Sequence, residues 1–254
     1  VTTDQTTNTA PAGAPNPAAS PAPEAAVPVI KTIAVIGGTG KEGSGLAARW
    51  AKAGYNVIIG SRDAARAQAK ADEMNAENGM GTASGAENID AAQRADLVVL
   101  TVPYNSHEST LAYLKDALQG KILVDVTVPL VPPKVRSVTL PAGKSASLEA
   151  AALLGPGVRV VTAYQNISNV HLSHGTDKIA CDVLICGDDL PAKEAVINLT
   201  EALGMRGVDA GSLANSVAVE SITPMLLYIN RKYKIEAGIL ISGLPPHAAQ
   251  DSGA

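Results

Sequence analysis

Between Lys31 and Gly43 an apolar run of strand character enters Gly38-Thr39-Gly40-Lys41-Glu42-Gly43, and a helical pattern through Ser44, Leu46 and Trp50 follows. Glycines at this spacing, between a strand and a helix, suit the pyrophosphate of a dinucleotide. Gly38 permits a tight turn, Gly40 lets the backbone approach phosphate without a Cβ in the way, and Gly43 allows the helix to pack closely on the strand. The free N–H groups and the positive end of the helix dipole then point at the phosphates.

The next strand pattern, Tyr55-Asn56-Val57-Ile58-Ile59-Gly60, ends in Ser61-Arg62, where a chain that binds NAD usually carries an acid for the ribose hydroxyls. A hydroxyl and a guanidinium suit a 2′-phosphate instead, because Arg offers forked, charge-assisted donors. Arg66 lies one helical turn beyond Arg62, so both can face one anion. Two arginines at a helix start are mildly unfavourable against the dipole unless an anion is bound. The expected nucleotide is therefore NADP(H).

These residues need a scaffold, and the remaining pattern supplies it. Leu97–Val102, Lys121–Val126, Val158–Ala163 and Asp182–Cys186 are apolar runs of strand length, and Ala64–Met74, His107–Leu118, Ser145–Leu154 and Ala192–Leu203 read as helices between them. This alternation predicts an α/β fold of the Rossmann type: a doubly wound, mainly parallel sheet with helices on both faces. Ligands in such sheets bind beyond the carboxyl ends of the strands, which nominates Thr101–Tyr104, Thr127–Val131 and Tyr164–Asn169 as further site segments. A closing helical segment, Leu213–Lys234, carries Pro224 in its interior, where the missing N–H predicts a kink or break.

Residues 1–28 are built from Thr, Ala, Pro, Asn, Gln and Gly, and such a stretch cannot bury enough apolar surface to offset its ordering entropy. It is expected to be a disordered tail, with residues 29–244 forming the nucleotide-binding domain and 245–254 a flexible C-terminal tail. A cytoplasmic enzyme is expected, the N-terminal tail leaving export of a processed form open. A net charge of −4 argues against nucleic acid as a main partner, and no apolar run of about 20 residues suggests a membrane span. Cys181 and Cys186, five apart on one apolar run, should face opposite sides of a strand and stay free thiols. His171 and His174 lack further ligands at metal spacing, so no metal site is expected.

The chain resembles the NADPH-dependent reductases of the deazaflavin coenzyme F420, from about Ile33 to Leu244. The resemblance rests on GGTGKEG (Gly37–Gly43), GSR (Gly60–Arg62), ADLVVLTVPY (Ala95–Tyr104), PLVP (Pro129–Pro132), ICGDD (Ile185–Asp189), DAGSLANS (Asp209–Ser216) and VESITPMLL (Val219–Leu227). It implies hydride transfer between NADP(H) and F420. Thr39, Gly40, Lys41 and Glu42 would then wrap the pyrophosphate, Ser61, Arg62 and Arg66 would hold the 2′-phosphate, and Val102 and Ser106 would line the nicotinamide ribose side.

One segment departs from the family pattern. Where the family carries Ala-Leu-His-Thr-Ile-Pro-Ala against the nicotinamide, this chain has Ala163-Tyr164-Gln165-Asn166-Ile167-Ser168-Asn169, so that Gln165, Asn166 and Asn169 are left to bond a carboxamide. Hydride transfer needs stacked rings and dry surroundings more than acid-base side chains, and no catalytic proton-transfer residue is assigned. Ser221–Leu227, with Met225, is expected to cover the acceptor. Lys134, Arg136 and Lys144 are candidates for its anionic tail, with a solvated basic face as the alternative. A small-molecule redox substrate and a homodimer are the expected partners. Two other classes stay open: an NADPH reductase of a flavin or other acceptor, and a non-enzymatic NADP-binding regulatory module.

Overall fold

The computed structural model describes residues 26–79, 81–173 and 179–245. The expected tails, apart from 26–28 and Pro245, lie outside these residues, as does His174.

In chain order the elements are β1 (Thr32–Ile36), α1 (Lys41–Lys52), β2 (Asn56–Ser61), α2 (Ala64–Asn78), β3 (Ala83–Glu87), α3 (Asn88–Arg94), β4 (Leu97–Leu100), α4 (His107–Leu118), β5 (Ile122–Asp125), α5 (Ala146–Leu154), β6 (Arg159–Thr162), α6 (Asn169–Ser173), β7 (Asp182–Gly187), α7 (Leu190–Glu201), β8 (Arg206–Asp209) and α8 (Ser216–Tyr233). They build one eight-stranded sheet in the order β3-β2-β1-β4-β5-β6-β7-β8. Every pairing is parallel except β6 with β7. The order reverses between β1 and β4, and this switch point opens the crevice where an α/β sheet takes its ligand.

Strand alternation divides the core between two faces. Ile33, Val35, Leu97 and Val99 pack with α1 and α7 residues such as Trp50 and Leu199. Ala34, Ile36, Val98 and Leu100 pack on the other face with Leu111, Leu114 and Leu118 of α4 and Leu154 of α5. Both faces of the central strands are thus dry, which is why these strands read as unbroken apolar runs.

Two strands and two short helices escaped the sequence pattern. Strand β3 reads Ala-Ser-Gly-Ala-Glu, residue types depleted in strands. Its Gly85 is required by packing, since a Cβ there would lie 2.1 Å from the Gln68 backbone nitrogen of α2. Strand β8, Arg-Gly-Val-Asp, is short and only partly buried. Helices α3 and α6 run for 7 and 5 residues, below the length at which a helical period can be read.

Of the kink or break expected at Pro224, the break does not occur: α8 continues from Ser216 to Tyr233 with the proline inside it. The proline removes one internal hydrogen bond, and contacts of the turn that precedes it hold the helix. Glu220 accepts from the Ala146 and Ser147 N–H groups at 2.7 and 3.0 Å, and the Thr223 hydroxyl donates to the Gln165 carbonyl at 2.8 Å. These bonds draw α8 across the carboxyl ends of β5 and β6. The thiols behave as their spacing predicts, Cys181 and Cys186 being free and buried.

Candidate active site

The glycine turn is shaped by its backbone. Gly37, just before the expected motif, is the residue with the left-handed φ of +81°, so the tight turn falls there rather than at Gly38. Gly38 and Gly43 are excluded from the cleft wall by their packing. A Cβ at Gly38 would sit 2.7 Å from the Val35 carbonyl oxygen, and one at Gly43 would sit 2.4 Å from Thr101 Oγ1. At Gly40 a Cβ would meet only the Gly37 oxygen at 3.3 Å, so its missing side chain leaves space toward the cleft. Gly40 is also the N-cap of α1 and carries no side-chain cap, which leaves the first N–H groups of the helix open to an anion.

This turn forms one wall of a cleft of about 1630 Å³. Single-ligand pockets run to about 1,000 Å³, so the space accommodates two ligands side by side. Thr39, Gly40, Lys41, Glu42, Ser61, Arg62, Arg66, Val102, Ser106 and Asn169 all line it. Thr101, from the segment nominated after β4, and Leu226 and Leu227, from the nominated cover segment, line it as well, whereas sequence reasoning missed Glu87 and Asn88 beside β2 and Asn230, Arg231 and Lys234 of the closing helix. The tip of β4 follows from the general rule for parallel sheets, but nothing local announces which face of a closing helix turns inward.

At the end of β2 the carboxylate of Asp63 caps α2, accepting from the Arg66 N–H at 3.1 Å. It is thereby withdrawn from the cleft, where an acid would favour a free ribose hydroxyl. Arg62 and Arg66 form no ion pair among the described residues. Glu42 stands next to the anion-binding turn, and burial pushes its carboxyl up to about 8. Near neutral pH it is largely protonated, so it neither repels a phosphate nor lacks a hydrogen to donate.

The departing segment after β6 is held unusually firmly. Tyr164 adopts φ of +76°, rare for a residue with a side chain, and is fully buried. Its ring meets Trp50 edge to face at 5.8 Å, and its hydroxyl pairs with that of Thr200 at 2.8 Å. Beyond it, Gln165 Nε2 donates to the Asp125 carbonyl and Asn166 Nδ2 to the Asp182 carbonyl, each at 2.6 Å. These two amides join β6 to β5 and β7. Both residues border the cleft. The Asn166 amide is engaged by Asp182, Cys181 and Leu184, whereas Gln165 Oε1 is buried without a hydrogen-bond partner among the described residues and stays able to accept from a carboxamide.

Asp125, at the tip of β5, is a hub beneath the cleft. Its side chain accepts from the Thr127 N–H at 3.0 Å and lies 2.7 Å from His107 Nε2. Burial works against the His107 cation, but the hydrogen bond and charge of Asp125, helped by Glu220 and Glu149, outweigh it and raise the pKa. Glu220, buried and close to Asp125, is pushed up to about 7 by desolvation despite its two backbone donors.

The closing helix supplies Thr223, Leu226 and Leu227 to the cleft, whereas Met225 is 52% exposed and does not line it. Of the basic candidates after β5, Arg136 borders the cleft and Lys134 and Lys144 do not. Among the described residues no group of three or more His, Cys, Asp or Glu could hold a metal, and no helix is long and apolar enough to cross a membrane.

Residues 32–129 match the family described as NADP oxidoreductase, coenzyme F420-dependent. The chain is 41% identical over 225 residues to the F420-dependent NADP reductase of Methanothermobacter thermautotrophicus, spanning 85% of this chain and 97% of that protein. It is 32% identical over 190 residues to the metalloreductase STEAP3 of Rattus norvegicus, covering 75% of this chain but 36% of that protein. Among solved structures, a putative F420-dependent NADP-reductase from Arthrobacter sp. FB24 superposes with a TM-score of 0.64 at 24% identity, covering 81% of this chain and 96% of that one, a likeness of fold. Identity of 41% over 97% of that reductase, with the glycine turn and closing helix in one cleft, means that this chain belongs to the F420-dependent NADP reductase family.

Proposed function

We propose that this protein transfers a hydride between NADP(H) and the deazaflavin coenzyme F420. The observation that carries the reading is a single cleft of two-ligand size, with the Gly40 turn on one side and α8 across the other. The two ring systems supply the redox chemistry when bound, and the chain's task is to hold them face to face and keep water out.

In this reading Thr39, Gly40 and Lys41 receive the pyrophosphate at the start of α1, and protonated Glu42 adds a donor. Ser61, Arg62 and Arg66 take the 2′-phosphate, the Asp63 carboxylate being occupied as a helix cap. Val102 and Ser106 border the nicotinamide ribose, with Asn169 reaching the carboxamide. Leu226 and Leu227 form the apolar cover of the acceptor ring. The glycine packing at Gly38 and Gly43 shapes the turn without touching a ligand. The working form is a cytoplasmic homodimer, and the exposed Met225, Tyr228 and Tyr233 on the outer side of α8 offer it an apolar surface.

The direct test is anaerobic mixing with NADPH and F420, followed at the deazaflavin absorbance band beside flavin and ferric controls. Rapid bleaching of F420 is expected. A protein saturated with NADPH that leaves F420 untouched but reduces the flavin would replace this reading with the flavin alternative, and no turnover with any acceptor would favour the regulatory module. NADPH should bind more tightly than NADH by about 2 to 3 kcal/mol, the worth of one or two charge-assisted bonds. Arg62→Ala should remove most of that gap while NADH binding stays near its original value.

A further inference from the structure

Among the described residues four buried side-chain atoms have no hydrogen-bond partner: Asn88 Oδ1, Ser147 Oγ, Thr162 Oγ1 and Gln165 Oε1. Of these residues Asn88 and Gln165 line the cleft. Gln165 follows β6, whereas Asn88 follows the edge strand β3, at the far end of the sheet order. Protein interiors satisfy nearly all such atoms, so an exception in a cleft wall asks for a partner from outside the chain.

Asn88 is 7% exposed, and its neighbours explain where it sits. Strand β3 pairs with β2 so that Glu87 lies opposite Ser61, which brings Asn88 to the Ser61-Arg62 strand tip. Gly60 makes room for the amide there. A Cβ on Gly60 would sit 3.0 Å from Asn88 Oδ1 and 2.8 Å from Ile36 Cδ1. The amide is thus drawn in beside the β2 tip. Glu87 lines the cleft too but is exposed, so water satisfies its carboxylate.

The chemistry of the unpartnered atom selects what completes it. A carbonyl oxygen accepts and cannot donate, so a 2′-phosphate held by Ser61, Arg62 and Arg66 leaves it unsatisfied. The base of the same nucleotide does better. Base and 2′-phosphate sit on adjacent carbons of one ribose, and the adenine amino group is a donor. An asparagine amide meets an adenine edge with both of its halves, Oδ1 accepting from the amino group and Nδ2 donating to a ring nitrogen.

We propose that Asn88 reads the adenine base of NADP(H), accepting from its 6-amino group and making the nucleotide site selective for an aminopurine over a 6-oxopurine. The inference rests on the 2′-phosphate placement proposed above. A 6-oxo group would turn a second acceptor toward Oδ1 and leave both oxygens unpaired in a buried setting. The ribose hydroxyls are the other donors on that half of the nucleotide, and exchange of the amino group leaves them unchanged.

The test is equilibrium titration of the full chain with NADP+ and with nicotinamide hypoxanthine dinucleotide phosphate, in which the 6-oxopurine replaces adenine. Binding is read without any hydride acceptor, so the result stands apart from the turnover assay. The unaltered protein should bind the hypoxanthine form about tenfold more weakly, the scale of one buried polar mismatch. Asn88→Ala should weaken NADP+ and bring the two forms within about twofold of each other. Asn88→Asp keeps the acceptor, so it should weaken both forms and retain the preference for the amino base. Arg62→Ala should weaken both forms alike, because they carry the same phosphate. Equal binding of the two forms by the unaltered protein, or a preference that survives in Asn88→Ala, would overturn the proposal. So would an Asn88→Ala variant that loses its preference for NADP+ over NAD+ while keeping that for the amino base, since the amide would then serve the phosphate. If Asn88→Ala does not fold, the unaltered protein and Asn88→Asp decide, and loss of the preference in Asn88→Asp overturns the proposal. Equal binding of NADP+ and NAD+ by the unaltered protein would overturn the phosphate placement and the proposal with it.

Discussion

On the β1 and β2 side of the cleft, the wall is drawn mainly from the stretch between Gly37 and Arg66, with Glu87 and Asn88 beside it, and its geometry is set by backbone: a left-handed glycine, an uncapped helix start, and a strand tip that turns into a helix. On the opposite side the wall is assembled from Val126–Leu130, Gln165–Val170 and Thr223–Ala237, brought together by side-chain bonds such as Thr223 to Gln165 and Glu220 to the start of α5. A site made of local backbone shape tolerates change wherever shape is preserved. A site made of distant side chains depends on the packing that unites them, and its chemistry shifts when a single contact is replaced, as the Gln165 and Asn166 amides show by joining strands.

The sharpest way to break this contrast is at the glycines. Gly40→Val should weaken NADPH binding by more than a hundredfold with melting temperature almost unchanged, because its Cβ meets protein only at 3.3 Å and otherwise projects into ligand space. Gly43→Val should instead lower melting temperature by several degrees, since its Cβ would lie 2.4 Å from Thr101 Oγ1 and 2.9 Å from Gly38 Cα. Binding titrations beside thermal melts decide the matter. Similar melting losses in both variants would mean that the turn has no separate ligand space.

The acceptor side is probed by neighbouring residues of α8. Leu226→Trp should cut kcat for F420 reduction about tenfold with NADPH affinity intact, because a misplaced ring loses its transfer geometry. Met225→Trp, on the exposed side of the helix, should leave both within twofold. A larger effect from Met225 than from Leu226 would show that the helix presents its other face to the substrate.

The smallest effect expected is a pH slope from the buried groups beneath the cleft. Glu220 is raised from 4.5 to about 7, so between those values the folded protein holds a proton that the unfolded chain has released, and stability falls as pH rises across that window. His107 is raised above 6.5, so its contribution is complete below 6.5 and is lost as pH climbs through the folded value. Melting temperature should therefore decline from about pH 5 to pH 8, and Glu220→Gln should flatten the acid part of that decline. An unchanged slope in the variant would show that Glu220 is not its source.

What the sequence determined alone follows from short-range rules. Strands β1, β2, β4, β5, β6 and β7 were legible because burial on both faces demands unbroken apolar runs, and the turn at Gly37–Gly43 because its geometry excludes side chains locally. The arginine pair at the tip of β2 was legible for the same reason: Ser61, Arg62 and Arg66 are adjacent in sequence and share one helix start. Tertiary structure alone decided the rest. Strand β3 exists because α2 presses on Gly85, and α8 remains continuous through Pro224 because neighbours hold the turn that precedes it. The acceptor wall, with Leu226 facing in and Met225 facing out, depends on which face of one helix meets segments far away in sequence. Helical periodicity identifies an apolar stripe, but only the partner that the stripe meets decides what it covers.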